Sequence, residues 1–313
     1  MSAPAHPLRS VATIALRVAL AWCLTYVLAI ALAELSPGSI GLRAARTSAS
    51  LPPEDARDPD LRRAIVARTA HDLGLDGGGG RRIGRAAVRA VTLDLGVAWR
   101  DRRPVADVVG PGLAATGLRA VLALVLALIL GGAIGLGAAG RRGPGGAFLG
   151  AAIALALTVP QLWWCQLALA GWNPTATGAG VLAVLVLAIV PAAVVAAHVR
   201  AQADEVLASP LTPALLARGL DRTRLMIVHV ARLTAPGLAP LAATAVGYVL
   251  GASAVVERAL AVPGAGRTLA DAAAQGDVPV VAALAALAAA TVALVAGLAS
   301  AIARRLDPRL ETA

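Results

Sequence analysis

The segment LARGLDRTRLMIVHVAR, residues 216–232, places Arg218, Arg222, Arg224, Arg232 and His229 between two long apolar runs. Cations gathered beside one glycine, Gly219, suit a docking surface for another protein. They equally suit anionic lipid headgroups, at about 1 kcal/mol per arginine near a charged membrane. A second stretch, VPGAGRTLA at 262–270, has glycines of the kind that cradle phosphate. A P-loop also needs a lysine to reach the β- and γ-phosphates, and all 28 basic residues here are arginine. The chain therefore lacks a standard Walker ATPase site, and any ATP used is expected to be bound and hydrolysed by partner subunits. His6, His71 and His229 have no metal-ligand spacing. Thr158, Thr244 and Ser253 have no histidine or carboxylate beside them in their runs. No catalytic, cofactor-binding or metal-ligating set is expected, and the chain reads as a non-enzyme.

The elements that must position the arginine-rich segment are set by composition. The chain is 58% hydrophobic and only 15% charged, with mean hydropathy +0.76, where soluble chains are nearer ~25% charged. About 20 apolar residues cross a ~30 Å hydrocarbon core, and this chain has several such runs. It reads as an all-α integral membrane protein. The net charge of +10 accompanies only 3% aromatics, and many arginines flank apolar runs, so membrane topology explains it better than nucleic acid. Cys23 and Cys165 lie inside apolar runs and read as packing residues.

Six spans are predicted, at 11–33, 120–140, 147–170, 180–197, 233–256 and 278–303. From 143 to 199 the chain has no Asp, Glu or Arg, too long for one helix, and GWNPTATG at 171–178 supplies a turn. Pro160 and Pro191 are expected to kink the third and fourth spans. No convincing cleavage site follows the first span, which is expected to be retained. Arginine in the short connections places both termini in the cytoplasm and the roughly 75-residue polar segment after span 1 outside. The expected organisation is 1–33 for the N-terminus and first span, 34–111 for the external segment, and 112–313 for a five-helix core. That core includes a cytoplasmic loop at 200–232.

In the external segment, Leu61, Ile65 and Leu73 have helical spacing with Gly74 as a stop, and DGGGGRR reads as a flexible tip. Gly131 with Gly135, and Gly247 with Gly251, form small-residue ladders for close helix packing, within this chain or at a dimer seam. Arg17, Arg119 and His198 lie near span ends and are expected to snorkel. With no ionisable group expected in mid-span, an ion-coupled carrier is disfavoured.

Within the loop, Thr212 is expected to cap a helix with Pro213 first and Gly219 as its stop. Such a helix has under two turns and needs tertiary support, for which Leu215, Leu216 and Leu220 offer an apolar handle. Asp221 is expected to cap a second helix running into the fifth span.

These pieces together resemble one family. DEVLASPLTPALLARGLDRTRLMIVHVAR is similar to the ATPase-coupling loop of permeases of binding-protein-dependent ABC importers. LSPGS, LGLDG and LDLGVAWRDRRPVADVV resemble that family's segments after the first span. VVERALAVPGAGRTLADAAAQGDVPVV has Glu257, Pro263, Gly264 and Gly266 at family spacing, and LDPR follows the last span. The nearer resemblance is to the first of the paired permeases in dipeptide, oligopeptide and nickel importers. At Pro210, Leu211 and Pro213 the chain departs from the family's charged and aromatic pattern.

The resemblance implies a multi-pass inner-membrane permease that pairs with a second homologous permease and carries two cytoplasmic ABC ATPases. An extracytoplasmic binding protein would deliver substrate, short peptides first, with nickel, opines and glycosides open. It implies an ATPase-coupling element at Ala214, Leu215, Leu216, Ala217, Arg218, Gly219, Leu220, Arg222 and Arg224. It also implies an external loop near the substrate path at Glu257, Pro263, Gly264 and Gly266. The departures keep a second reading open, a non-transporting membrane scaffold or receptor subunit with the permease fold.

Overall fold

The computed structural model describes residues 7–36, 44–46, 58–73, 75, 77–141, 143–171 and 176–306. Among these there is no β-strand, only an isolated bridge between Val97 and Pro104. Eleven helices carry the description: α1 Pro7–Leu35, α2 Pro59–Asp72, α3 Gly79–Thr92, α4 Val105–Ala138, α5 Pro144–Thr158, α6 Gln161–Gly171, α7 Ala176–Ala208, α8 Leu211–Ala217, α9 Ala239–Ala259, α10 Ala265–Gln275 and α11 Val278–Leu306. Five helices are long and apolar enough to cross a membrane, and the pair α5–α6 would make a sixth span if it counts as one. The chain divides into two compact units, Met1–Thr116 with Pro263–Ala293, and Gly117–Val262 with Leu294–Ala313.

In the first unit α1 packs on α3. The buried Trp22 indole donates to the Ala90 carbonyl at 2.8 Å, and Trp22 stacks on Tyr26. Glu34 takes a two-point contact from Arg82, 2.6 Å at each oxygen, the fork geometry that makes arginine–carboxylate pairs strong. That bond holds the Arg82 guanidinium charged above its ordinary range. α3 begins at Gly79, inside the glycine run expected to be a flexible tip. Helix there is sustained by packing, with Ala86 and Ala90 buried, since glycine itself costs about 1 kcal/mol per helical position. α2 is capped by the Asp58 carboxylate, which accepts from the Asp60 and Leu61 N–H groups, with Pro59 first. The expected stop at Gly74 lies outside the described residues, as do residues 37–39 of LSPGS, Asp76, Arg142, residues 172–175 and residues 307–309 of the tail.

α4 corrects a boundary. It starts at Val105 and runs through Pro111, so the division placed at 111 falls inside a helix. Its first turn carries Asp107 at the positive helix end.

In the second unit the glycine ladder of α4 brings backbone onto backbone. A Cβ on Gly131 would sit 2.5 Å from the Ala192 carbonyl oxygen, and one on Gly135 2.7 Å from that of Ala196. The first ladder therefore packs within this chain, against α7. Around Gly251 a Cβ would meet nothing within 4 Å. α7 runs unbroken through Pro191. Pro160, expected to kink one span, instead separates α5 from α6, which are bent by 106°. A proline residue removes the backbone donor that would continue α5. Gln161 then ties the break down, donating to the Val186 carbonyl at 2.9 Å and accepting from the Tyr248 hydroxyl at 2.7 Å.

The glycine contact generates a paired test. Gly131→Ala forces overpacking against backbone and should cost about 1–3 kcal/mol, lowering the thermal midpoint of the purified chain in detergent. Gly132→Ala, where nothing lies within 4 Å, should leave the midpoint unchanged or raise it.

Candidate functional site

The loop after α7 is built by caps. α7 ends at Ala208, and the Ser209 and Thr212 hydroxyls both donate to the Val206 carbonyl, at 2.7 and 2.9 Å. Thr212 therefore closes α7 rather than capping the next helix. α8 starts two residues earlier than expected, at Leu211 after Pro210. Pro213 falls third in it, where the missing N–H would have had no intrahelical partner.

Gly219 is the stop. Its φ is +83°, its N–H donates to the Leu216 carbonyl at 2.9 Å, and the Leu220 N–H reaches the Leu215 carbonyl at 3.3 Å. This is the paired 5→2 and 6→1 closure of a Schellman motif. Asp221 then caps the next turn by accepting from the Thr223 N–H at 2.9 Å, as its sequence position predicts. The chain continues as a span, Arg222–Ala259, through a π-helical turn at Leu225–Val230 and a 3-10 turn at Ala235–Leu238 before α9.

A helix of seven residues is unstable alone, and Leu215 supplies the support. It packs with Ala139, Ala203, Leu225 and Val230. Leu216 stays 44% exposed and Leu211 45% exposed, with Ala214, Ala217, Arg218, Arg222 and Arg224 also at the surface. The expected handle is thus divided: Leu215 anchors, Leu220 is half-buried, and Leu216 faces outward. Beside α8, Asp204 accepts from the Gly140 N–H at 2.6 Å and pairs with Arg200, joining the end of α4 to α7.

The residues expected in an external loop separate. Glu257 is not in a loop. It lies in the last turn of α9, wholly buried, and forms an ion pair with Arg119 of α4. Arg119 is 9% exposed, so it does not snorkel. Local spacing assigns each charge a separate explanation because 138 positions separate them. The available signal was that each is a charge at the edge of an apolar run, Arg119 alone and Glu257 beside Arg258. In the first unit Pro263 and Gly264 precede α10, and Gly266 is buried within it. The Ala265 N–H donates to the Thr116 hydroxyl at 2.8 Å, and a Cβ on Gly112 would lie 2.6 Å from the Ala265 nitrogen. Arg17 is exposed on α1. His198 differs from expectation, because its Nε2 is buried and has no partner among the described residues.

A chain that is helical throughout its described residues, with five to six candidate spans and a short capped helix on an arginine-rich connection, is a multi-pass membrane protein. The chain belongs to the family of binding-protein-dependent transport system inner membrane components, matched over residues 131–312, and is an ABC importer permease component. It is similar to the glutathione transport system permease protein GsiC of Escherichia coli O6:H1 (strain CFT073), 30% identical over 251 residues covering 74% of this chain and 81% of that one. The same figures hold for proteins of that name from Shigella boydii serotype 4 (strain Sb227) and Escherichia coli strain K12. Membership implies paired permeases, ATPases and a binding protein as partners.

Removing one member of a buried pair strands the other charge, at about 3–5 kcal/mol, whereas replacing both with apolar residues is often neutral. Glu257→Ala should therefore lower the thermal midpoint of the purified chain strongly. The double change Arg119→Leu with Glu257→Leu should recover most of the loss.

Proposed function

We propose that this chain forms half of the transmembrane pathway of an importer for short peptides, and that α8 receives the movement of a cytoplasmic ATPase. The observation that carries the reading is the exposed, Schellman-closed helix α8 on an arginine-rich connection between two spans. The similarity to glutathione permeases supports a small peptide-type substrate.

In this reading both termini and the 200–232 loop are cytoplasmic, and the segment from 34 to about 111 is external. The arginines of the short connections favour that orientation. Ala214, Leu216, Ala217 and Arg218 present the docking surface, Leu215 ties it to the permease core, and Gly219 sets the exit of the chain. Leu220, Arg222 and Arg224 form the rim where the next helix begins. ATP is bound by the partner ATPases, and this chain carries no cofactor of its own.

Nucleotide-driven closure of the ATPases would bias a two-state permease between inward- and outward-facing forms. An external binding protein would hand substrate over near Pro263, Gly264 and Gly266. The pairing proposed is with a second, homologous permease chain. Glu257 serves this assembly by neutralising Arg119 inside the helical core, a structural contribution to the pathway.

The test is uptake of radiolabelled glutathione into proteoliposomes holding this chain, its partner permease, the ATPases and the binding protein. Gly219→Val forces a β-branched residue into the left-handed region at about 1–2 kcal/mol, a population shift of about tenfold. Uptake should fall by about that factor while the subunits still co-purify. Unchanged uptake would remove the coupling role from α8. Absence of uptake by the unaltered assembly, for this and other short peptides, would overturn the peptide reading.

A further inference from the structure

The apolar runs of α4 and α7 are each closed by an arginine. Arg141 is the first charge after the run 120–140, and Arg200 is the first after the stretch 143–199, which has no Asp, Glu or Arg. About 20 apolar residues cross the hydrocarbon core, so both arginines mark the depth of the lipid headgroups. Both line one half-open cavity of about 550 Å³ in the second unit, within the roughly 300–1,000 Å³ range of small-molecule sites. Arg222, where the next candidate span begins, lines the same cavity.

The lining is short of acid. Its carboxylate, Asp204, accepts from the Gly140 N–H at 2.6 Å and lies 3.9 Å from the Arg200 guanidinium, which balances it. Among the described residues, neither the Arg141 nor the Arg222 guanidinium has a hydrogen-bond or ion-pair partner. A Cβ on Gly137 would lie 3.5 Å from an Arg141 nitrogen, and one on Gly140 3.5 Å from an Arg222 nitrogen. Both guanidinium groups therefore stand at the last turn of α4. The carboxyl ends of α4 and α7 offset about half a charge each, which leaves roughly one positive charge. Leu207, Leu216 and Leu225 add an apolar wall beside these cations.

We propose that this cavity holds the phosphodiester headgroup of one acidic phospholipid, with Arg141 and Arg222 as its cationic contacts. A phosphodiester monoanion matches the residual charge, and arginine forks bind phosphate oxygens at two points. A zwitterionic headgroup brings a cation of its own into a site that already has a surplus. The apolar wall suits the glycerol and first acyl carbons, which a free phosphate lacks. A diffuse attraction of arginines to an anionic surface would not single out these two side chains. The site goes beyond the import reading and needs only that α4 and α7 span the membrane. Leu216 belongs to α8 as well, so an occupant also touches the helix proposed to meet the ATPase. That consequence alone rests on the import reading.

The experiment is native mass spectrometry of the full chain, released from dodecyl maltoside after equilibration with an equal mixture of phosphatidylglycerol and phosphatidylcholine. One phosphatidylglycerol should be retained, in about tenfold or greater preference to phosphatidylcholine. Arg141→Gln and Arg222→Gln should each weaken that retention about tenfold, since each deletes a charge-assisted contact. Arg232→Gln, exposed on the same connection but outside the cavity, should leave it unchanged. Millimolar inorganic phosphate should not displace the lipid. Thermal midpoints of the variants verify that they are folded.

Equal retention of the two lipids would overturn the proposal, as would retention indifferent to Arg141→Gln and Arg222→Gln. Retention that falls equally for Arg232→Gln would reduce the effect to diffuse surface charge and overturn it too. Displacement by inorganic phosphate would assign the cavity to a free anion and discard the lipid. Uptake by the complete assembly in proteoliposomes, measured in parallel, separates this claim from the import reading. Import without selective retention discards the lipid site and keeps the importer, whereas selective retention without import does the reverse.

Discussion

Charge is scarce in this chain, and the low dielectric of its apolar core decides where charge can stand. An ionised group inside such a core must be paired or moved to water. Glu257 illustrates the first solution, wholly buried and joined to Arg119 across two helices of the second unit. The arginines around α8 illustrate the second, exposed on a connection between spans. Backbone obeys the same rule: where α5 ends before Pro160, the Thr158 hydroxyl donates to the Ala154 and Leu155 carbonyls of its last turn, at 3.0 and 3.2 Å.

Close helix contact and local capping then set the positions of the functional parts. Gly131 and Gly135 let α4 lie directly on α7, and Asp204 fastens the α4 end to the same helix. α7 carries straight into the hydroxyl pair of Ser209 and Thr212, and α8 follows without a linker. A helix so short has little independent stability, yet Leu215 and the closure at Gly219 connect it rigidly to both neighbouring spans. A push on its exposed face would reach the membrane helices through packed side chains and helix backbone rather than through slack.

Much of this was legible in the sequence because the signals are local. Hydropathy blocks located the candidate spans, and Gly219 and Asp221 were read correctly as a stop and a cap because each acts within a few residues of itself. The order of motifs identified the family. Tertiary facts were not legible. The start of α8 moved by two residues because Thr212 found an acceptor in the preceding helix. The glycine run before α3 looked flexible, and becomes helical at Gly79 through packing on α1 that no local propensity encodes. Glu257 and Arg119 were read as loop and interface residues because a partner 138 positions away is invisible to spacing. The two units, each assembled from separate stretches of chain, were equally out of reach.

The central claim is that α8 is the surface on which an ATPase acts. A photo-crosslinking amino acid placed at Leu216, exposed on α8, tests it most directly in membranes containing the assembled transporter. The account predicts a covalent adduct with an ATPase subunit, and an adduct yield that changes when ATP is bound. An adduct with the extracytoplasmic binding protein, or none with the ATPase in an assembly that still imports, would contradict it.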